Sequence, residues 1–204
     1  MRLAATVILL LRASHSTAQM GRLSLVATRK WIERVVVAKK LCPWAAAAAA
    51  SEETMRVAVL HGGFDTPRAC LELTSAVLAE AKALARPASA GKTTLIVLPH
   101  ASLSSSFDTY LEASRAVEAL LHSSRLDRSI QLATFHPTYQ FAGTSTDSAE
   151  NYTNRSPYPI LHLLRVDDVE AAIKTYTRLK VPSPRSPPSL PCPLSPSIPS
   201  VASH

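Results

Sequence analysis

Thr93-Thr94-Leu95-Ile96-Val97-Leu98 is the stretch on which the fold turns. It is β-branched and apolar with no polar alternation, the pattern of a strand covered on both faces. Upstream, Thr66 with Pro67 supplies an N-cap and a first helical position for a helix that runs to about Ala85 and stops before Pro87. Downstream, Ser106 can cap a helix whose Tyr110, Ala113, Val117, Leu120 and Leu121 share one face. A buried strand between two helices is the centre of an α/β sheet.

Further strands are predicted at Met55–Leu60, Ile130–Phe135 and Ile160–Leu164. A helix is predicted over Ser24–Leu41, with Leu25, Trp31, Ile32 and Val35 as a partial apolar face. Cys42-Pro43 stops it, because the residue before Pro is pushed out of the α region. Asp167 and Glu170 form an acidic version of a capping box, opening a last helix with Val169, Ala172, Ile173 and Tyr176 inward. The order α-β-α-β-α-β-β-α predicts an α/β fold: a single three- to four-stranded, mostly parallel sheet with flanking helices. The first three strands run parallel through right-handed crossovers, and the last, after a long loop, can run either way. A ferredoxin-like α+β sheet with a split βαβ unit is the alternative.

The ends differ from this middle. Residues 1–23 are expected to be a targeting leader, 24–180 the single domain, and 181–204 a disordered Pro/Ser-rich tail. The first thirty residues hold Arg2, Arg12, Arg22, Arg29 and Lys30 and no acid. Their apolar run, Leu3–Leu11, is shorter than the roughly 20 residues that span a bilayer, so no membrane span is expected. Arg12 directly after that run favours an organelle transit peptide, for plastid or mitochondrion, over a secretory signal. An unprocessed leader would leave the protein cytoplasmic. In the tail, Pro184-Arg185-Ser186-Pro187-Pro188 can be neither helix nor central strand.

The net charge of +7 invites a nucleic-acid reading, but the charges sit at the ends. Between residue 30 and residue 181 there are sixteen cations and fifteen acids, and no basic stripe marks the folded part. No nucleic-acid partner is expected. Cys42, Cys70 and Cys192 have the spacing of neither a disulfide framework nor a Cys-rich zinc site. Gly91-Lys92-Thr93-Thr94 resembles the end of a phosphate-binding loop. It fails, because Arg86 stands where the first Gly belongs and a strand follows instead of a helix.

The richest chemistry lies between His136 and Pro159. A long loop in a compact domain is usually functional or disordered. Tyr139, Phe141, Tyr152 and Tyr158 argue against disorder, while Pro137, Pro157 and Pro159 stiffen the chain. His136 is the candidate acid–base group, and Arg155 the candidate clamp for a carboxylate or phosphate through two hydrogen bonds. Asn151 and Asn154 would orient a ligand. Cys42 is an optional nucleophile at the wrong end of a helix for thiolate activation. His61, His100 and His136 each follow a predicted strand, which would place them along one sheet edge, the edge where open α/β sheets bind ligands.

These pieces carry a resemblance. Thr28-Arg29-Lys30-Trp31-Ile32-Glu33, Leu41-Cys42-Pro43-Trp44-Ala45, Gln131 through Pro137, Tyr139-Gln140-Phe141-Ala142-Gly143, and Asn151 through Arg165 resemble the domain of unknown function 1415 family. The resemblance implies no activity. The family's usual Asn-Leu-Cys-Pro-Phe appears here as Lys40-Leu41-Cys42-Pro43-Trp44. Relatives also continue with ordered sequence where this chain turns to Pro and Ser.

Three functions fit the residues. One is an enzyme acting on a small anionic molecule. Another is a metal-binding or redox protein using histidines and Cys42, although no metal-ligand spacing is visible. The third is a non-enzymatic ligand-binding domain. No cofactor is named by any motif, and nothing addresses oligomeric state. The leader is expected to be absent from mature protein. N-terminal sequencing of native material checks this, and a mature chain beginning at Met1 would reject it.

Overall fold

Thr93–Val97 is a strand with all five residues buried, as its composition demands. The computed structural model describes residues 2–42 and 44–179, with side chains at 17–42 and 44–175. Pro43, the inward placement expected for Tyr176, Cys192 and the Pro/Ser-rich tail lie outside that description. In chain order the elements are α1 (Arg2–Trp31), a π-helical segment (Ile32–Val37), α2 (Ala45–Ala48) and β1 (Met55–Val59). There follow α3 (Pro67–Leu84), β2 (Thr93–Val97), α4 (Ala101–Ser105), α5 (Phe107–Ser123), β3 (Ile130–Phe135), β4 (Ile160–Arg165) and α6 (Val166–Leu179). No described helix is long and apolar enough to cross a membrane.

The α/β class, the four strands and the flanking helices match the expectation from sequence. The sheet order is β1-β2-β4-β3. β1 and β2 pair in parallel, with Met55 opposite Thr93 and Val59 opposite Val97. β4 is antiparallel to both its neighbours, β2 and β3. The expectation of a mostly parallel sheet is therefore corrected at the level of ladders, since only one of the three pairings is parallel. β1, β2 and β3 do all point the same way, because β4 reverses between β2 and β3. The unit β2-α5-β3 is split by an inserted antiparallel strand, a feature shared with the ferredoxin-like alternative.

Burial explains the insertion. Ile160, Leu161 and Leu163 have no exposed surface, so β4 needs cover on both faces and both edges. β3 carries the half-buried Gln131, Ala133 and Thr134 and tolerates the edge. Alternate residues feed two cores. Ile96, Leu98, Leu132, Leu161 and Leu163 pack against Leu73, Val77 and Ala81 of α3 and Tyr110, Ala113 and Val117 of α5. Met55, Leu95, Val97 and Ile160 face the other way, against Ile32, with Trp31, Val37, Ala48 and Ala49 beside them.

Thr66 and Ser106 cap their helices as expected, accepting from the Ala69 and Thr109 amides at 3.1 Å each. The expected capping box of Asp167 and Glu170 does not form, because α6 starts directly at Val166. Asp168 instead accepts from the Gly91 amide at 2.8 Å. Arg165 donates to the carbonyls of Leu84 and Arg86, satisfying the end of α3. The helix expected from Ser24 starts much earlier and passes residue 23 without a break. It approaches the sheet edge closely at Gly21, where a Cβ would stand 2.9 Å from His61 Nε2.

α5 closes with a Schellman pattern: Leu126 N donates to Leu121 O and Arg125 N to His122 O. Arg125 takes the left-handed position, φ 57°, which favours glycine. Arg125→Gly is therefore expected to stabilise the domain by about 1 kcal/mol. Chemical denaturation checks this, and an unchanged or lower midpoint contradicts it.

Candidate functional site

The loop between β3 and β4 is built around Asn151, which is fully buried. Its Oδ1 accepts from the Phe141 amide and lies 2.9 Å from the Thr144 hydroxyl. Its Nδ2 donates to the carbonyls of Ser145 and Thr146. One side chain thus satisfies backbone groups across residues 141–146, and Gly143 at φ 79° makes the tight turn among them. Asn154 Nδ2 donates to the Thr134 carbonyl at 2.9 Å, and the Asn154 carbonyl accepts from the His136 amide. The loop does fold back on the strand end. The two asparagines spend their side chains on its architecture.

His136 is wholly buried. Nε2 donates to the Leu103 carbonyl at 2.9 Å, so Nδ1 is the acceptor for the Thr138 amide at 3.1 Å. The ring lies among Phe107 and Tyr110 of α5. Burial lowers its pKa, against the smaller opposing effect of the Leu103 carbonyl. His162, on the opposite face of the sheet, is held lower still, at about 4, by desolvation. Its Nε2 lies 2.6 Å from the Thr93 hydroxyl, which itself donates to the Leu163 carbonyl.

The three histidines expected along one sheet edge do follow three co-directional strands. Their rings are dispersed into separate duties. His61 packs on Gly21, and His100 caps α4 by accepting from the Ser102 amide. Gly63, between them in sequence, has no room for a side chain: a Cβ would meet Asp65 Oδ1 at 2.5 Å and the His100 ring at 2.6 Å. Among the described residues no three His, Cys, Asp or Glu side chains converge as a metal site would require.

A shallow groove of about 330 Å³ lies on the α1 side. Trp31, Val35, Lys39 and Leu41 form one wall; Ala149, Tyr152, Thr153 and Arg155 form the other. The first wall is the π-helical segment and its exit. π-Helical geometry is rare and concentrates at functional sites. Here it coincides with three consecutive β-branched residues, Val35-Val36-Val37, which crowd an ordinary α-helix. The segment ends in a second Schellman pattern, with Leu41 N donating to Val36 O and Lys40 at φ 56°. This accounts for the Asn usual at that position in the resembling family, since Asn enters the left-handed region more readily than Lys.

Arg155 is fixed in the second wall. Nε donates to the Tyr139 carbonyl at 3.3 Å and Nη2 to the Thr146 carbonyl at 2.7 Å. The guanidinium sits over the Tyr152 ring, 4.3 Å from its centre. Among the described residues Nη1 has no hydrogen-bond partner. The clamp expected from sequence thus has one edge committed to main-chain oxygens and the Nη1–Nη2 end left over.

His136 does not share this groove with Arg155. Its side chain joins the α4–α5 layer, while Arg155 lines the α1 side. Asn151 and Asn154 support the loop behind Arg155. Cys42 is a half-buried free thiol one residue past Leu41 and does not line the groove. Trp31, Val35, Lys39, Leu41 and Tyr152 were not candidates from sequence. Trp31 read as helix face and Tyr152 as a loop anchor; the valine run was the one local signal.

The family model described as protein of unknown function (DUF1415) matches residues 24–184. No curated protein and no solved structure matches the chain.

His136 and His162 both make stability depend on pH. Their folded-state pKa values lie below the ordinary 6.5, so the unfolded chain binds protons first as pH falls. Stability is expected to be full above pH 6.5 and to drop towards pH 4, by up to about 3 kcal/mol from His162. Urea titrations across that range check it, and His162→Gln should flatten the profile.

Proposed function

The chain belongs to the DUF1415 family of proteins of unknown function, and we propose that its domain binds a small anionic molecule in the groove between the π-helical segment and Arg155. One observation carries this reading. Arg155 is immobilised by two main-chain carbonyls and an aromatic face, yet among the described residues its Nη1 has no hydrogen-bond partner beside a groove. An arginine held this way is pre-organised, so little rotamer freedom is lost when an anion docks. Lys39 adds a second positive charge, and the lining among the described residues holds no acid.

Binding is favoured over catalysis because, among the described residues, the groove is lined by no His, Cys, Asp, Glu or Ser. An acid–base role for His136 would require its ring to leave Leu103 and Thr138, breaking bonds that both its nitrogens make. Arg155 and Lys39 can hold and orient charge, and they provide no nucleophile with an adjacent base.

A thermal-shift series against small carboxylates and phosphates tests the reading. An anion that binds should raise apparent stability, by about 2.7 kcal/mol at a hundredfold excess over Kd. Arg155→Gln should remove at least about half of the shift. Arg155→Lys should retain little of it, because an ammonium cannot reproduce the planar fork. A full shift in Arg155→Gln, or none with any anion on the intact chain, would sink the proposal.

A further inference from the structure

This step rests on the anion-binding reading and narrows it: we infer that the ligand is a flat apolar molecule bearing a single carboxylate, of the aromatic monocarboxylate class. The groove's composition carries the inference. Trp31, Val35, Leu41, Ala149 and Tyr152 present hydrocarbon and ring surface, which rewards an apolar body. The free polar groups are few. The Thr153 hydroxyl is already within hydrogen-bond reach of the Glu150 carbonyl and Asn154 Oδ1. Lys39 is exposed at the rim of the first wall.

That leaves the outer end of one guanidinium as the ordered anion contact. The Nη1–Nη2 edge offers two parallel N–H bonds, which match the two oxygens of a carboxylate. A phosphate group would bring further oxygens and a second charge. Besides Arg155, only the exposed Lys39 in the described lining could meet them, and an anionic oxygen left unpaired against apolar surface is costly. A small hydrophilic acid would satisfy Arg155 and leave the walls unused. Trp31 stands edge-on to Phe135, with ring centres 5.5 Å apart, which holds the indole of the first wall in place.

The full chain is titrated with phenylacetate, acetate, phenylacetamide, phenyl phosphate and inorganic phosphate. Calorimetry gives affinities, and tryptophan fluorescence reports on the groove through Trp31. Phenylacetate should bind at least about tenfold more tightly than each of the other four. Arg155→Gln should weaken it about ten- to hundredfold. Val35→Thr, which keeps side-chain shape while adding a hydroxyl to the apolar wall, should weaken phenylacetate and leave acetate unchanged. Equal, Arg155-dependent binding of acetate and phenylacetate overturns the apolar body while the anion reading stands. Preference for either phosphate overturns the carboxylate while the anion reading stands. Phenylacetamide binding as well as the acid, or no binding by any of the five, overturns the anion reading itself.

Discussion

Phe135 and Ile160 lie directly opposite each other across the sheet, although the chain between them makes the whole excursion from His136 to Pro159. Bringing those two residues together is the constraint on which the architecture depends. Without it β4 could not slot between β2 and β3, and its three fully buried side chains would have no cover. Closing a long loop costs entropy, and the protein offsets that cost with polar groups that have nowhere else to go. Tyr110, fully buried on α5, donates to the Ile160 carbonyl at 2.7 Å and accepts from the Phe135 amide at 3.2 Å. Burial raises its pKa well above the ordinary value, so the bridging hydroxyl stays protonated at any physiological pH. Asn151, Asn154 and His136 do the same work further out.

The same closure builds the groove. Arg155 follows Asn154, whose side chain is bonded to the carbonyl of Thr134, so the guanidinium is located by the end of β3. Phe135 points to the α1 layer, where its ring meets Trp31, and His136 points to the α5 layer. The alternation that turns Phe135 towards α1 turns His136 the other way, and the loop then brings Arg155 to the Phe135 side, apart from the histidine. Histidine on one side steadies the loop; arginine on the other keeps one end unpaired among the described residues.

Much of the fold was legible. Thr93–Leu98 could only be a strand buried on both faces, and Thr66, Ser106 and their helices followed from capping chemistry. The loop's importance was legible too, from its aromatics and prolines. Its internal roles were not. Asn151, Asn154 and His136 carry groups that bind ligands in some proteins and backbone in others, and residue type does not distinguish those uses. Arg155 was legible as a cation with a fork but not as one half engaged by the carbonyls of Tyr139 and Thr146.

By itself the chain determined the four strands and the helices α3, α5 and α6, that β1, β2 and β3 share a direction, and that residues 136–159 are ordered. Those properties depend on near neighbours: periodicity, caps, and proline or glycine at particular steps. Tertiary structure alone decided that β4 enters the middle of the sheet, that the groove has its second wall opposite a π-helical turn, and that His136 and Arg155 belong to different layers. Each of these pairs residues distant in sequence, and such pairings are settled by which apolar faces and backbone groups still need a partner once the local elements have formed.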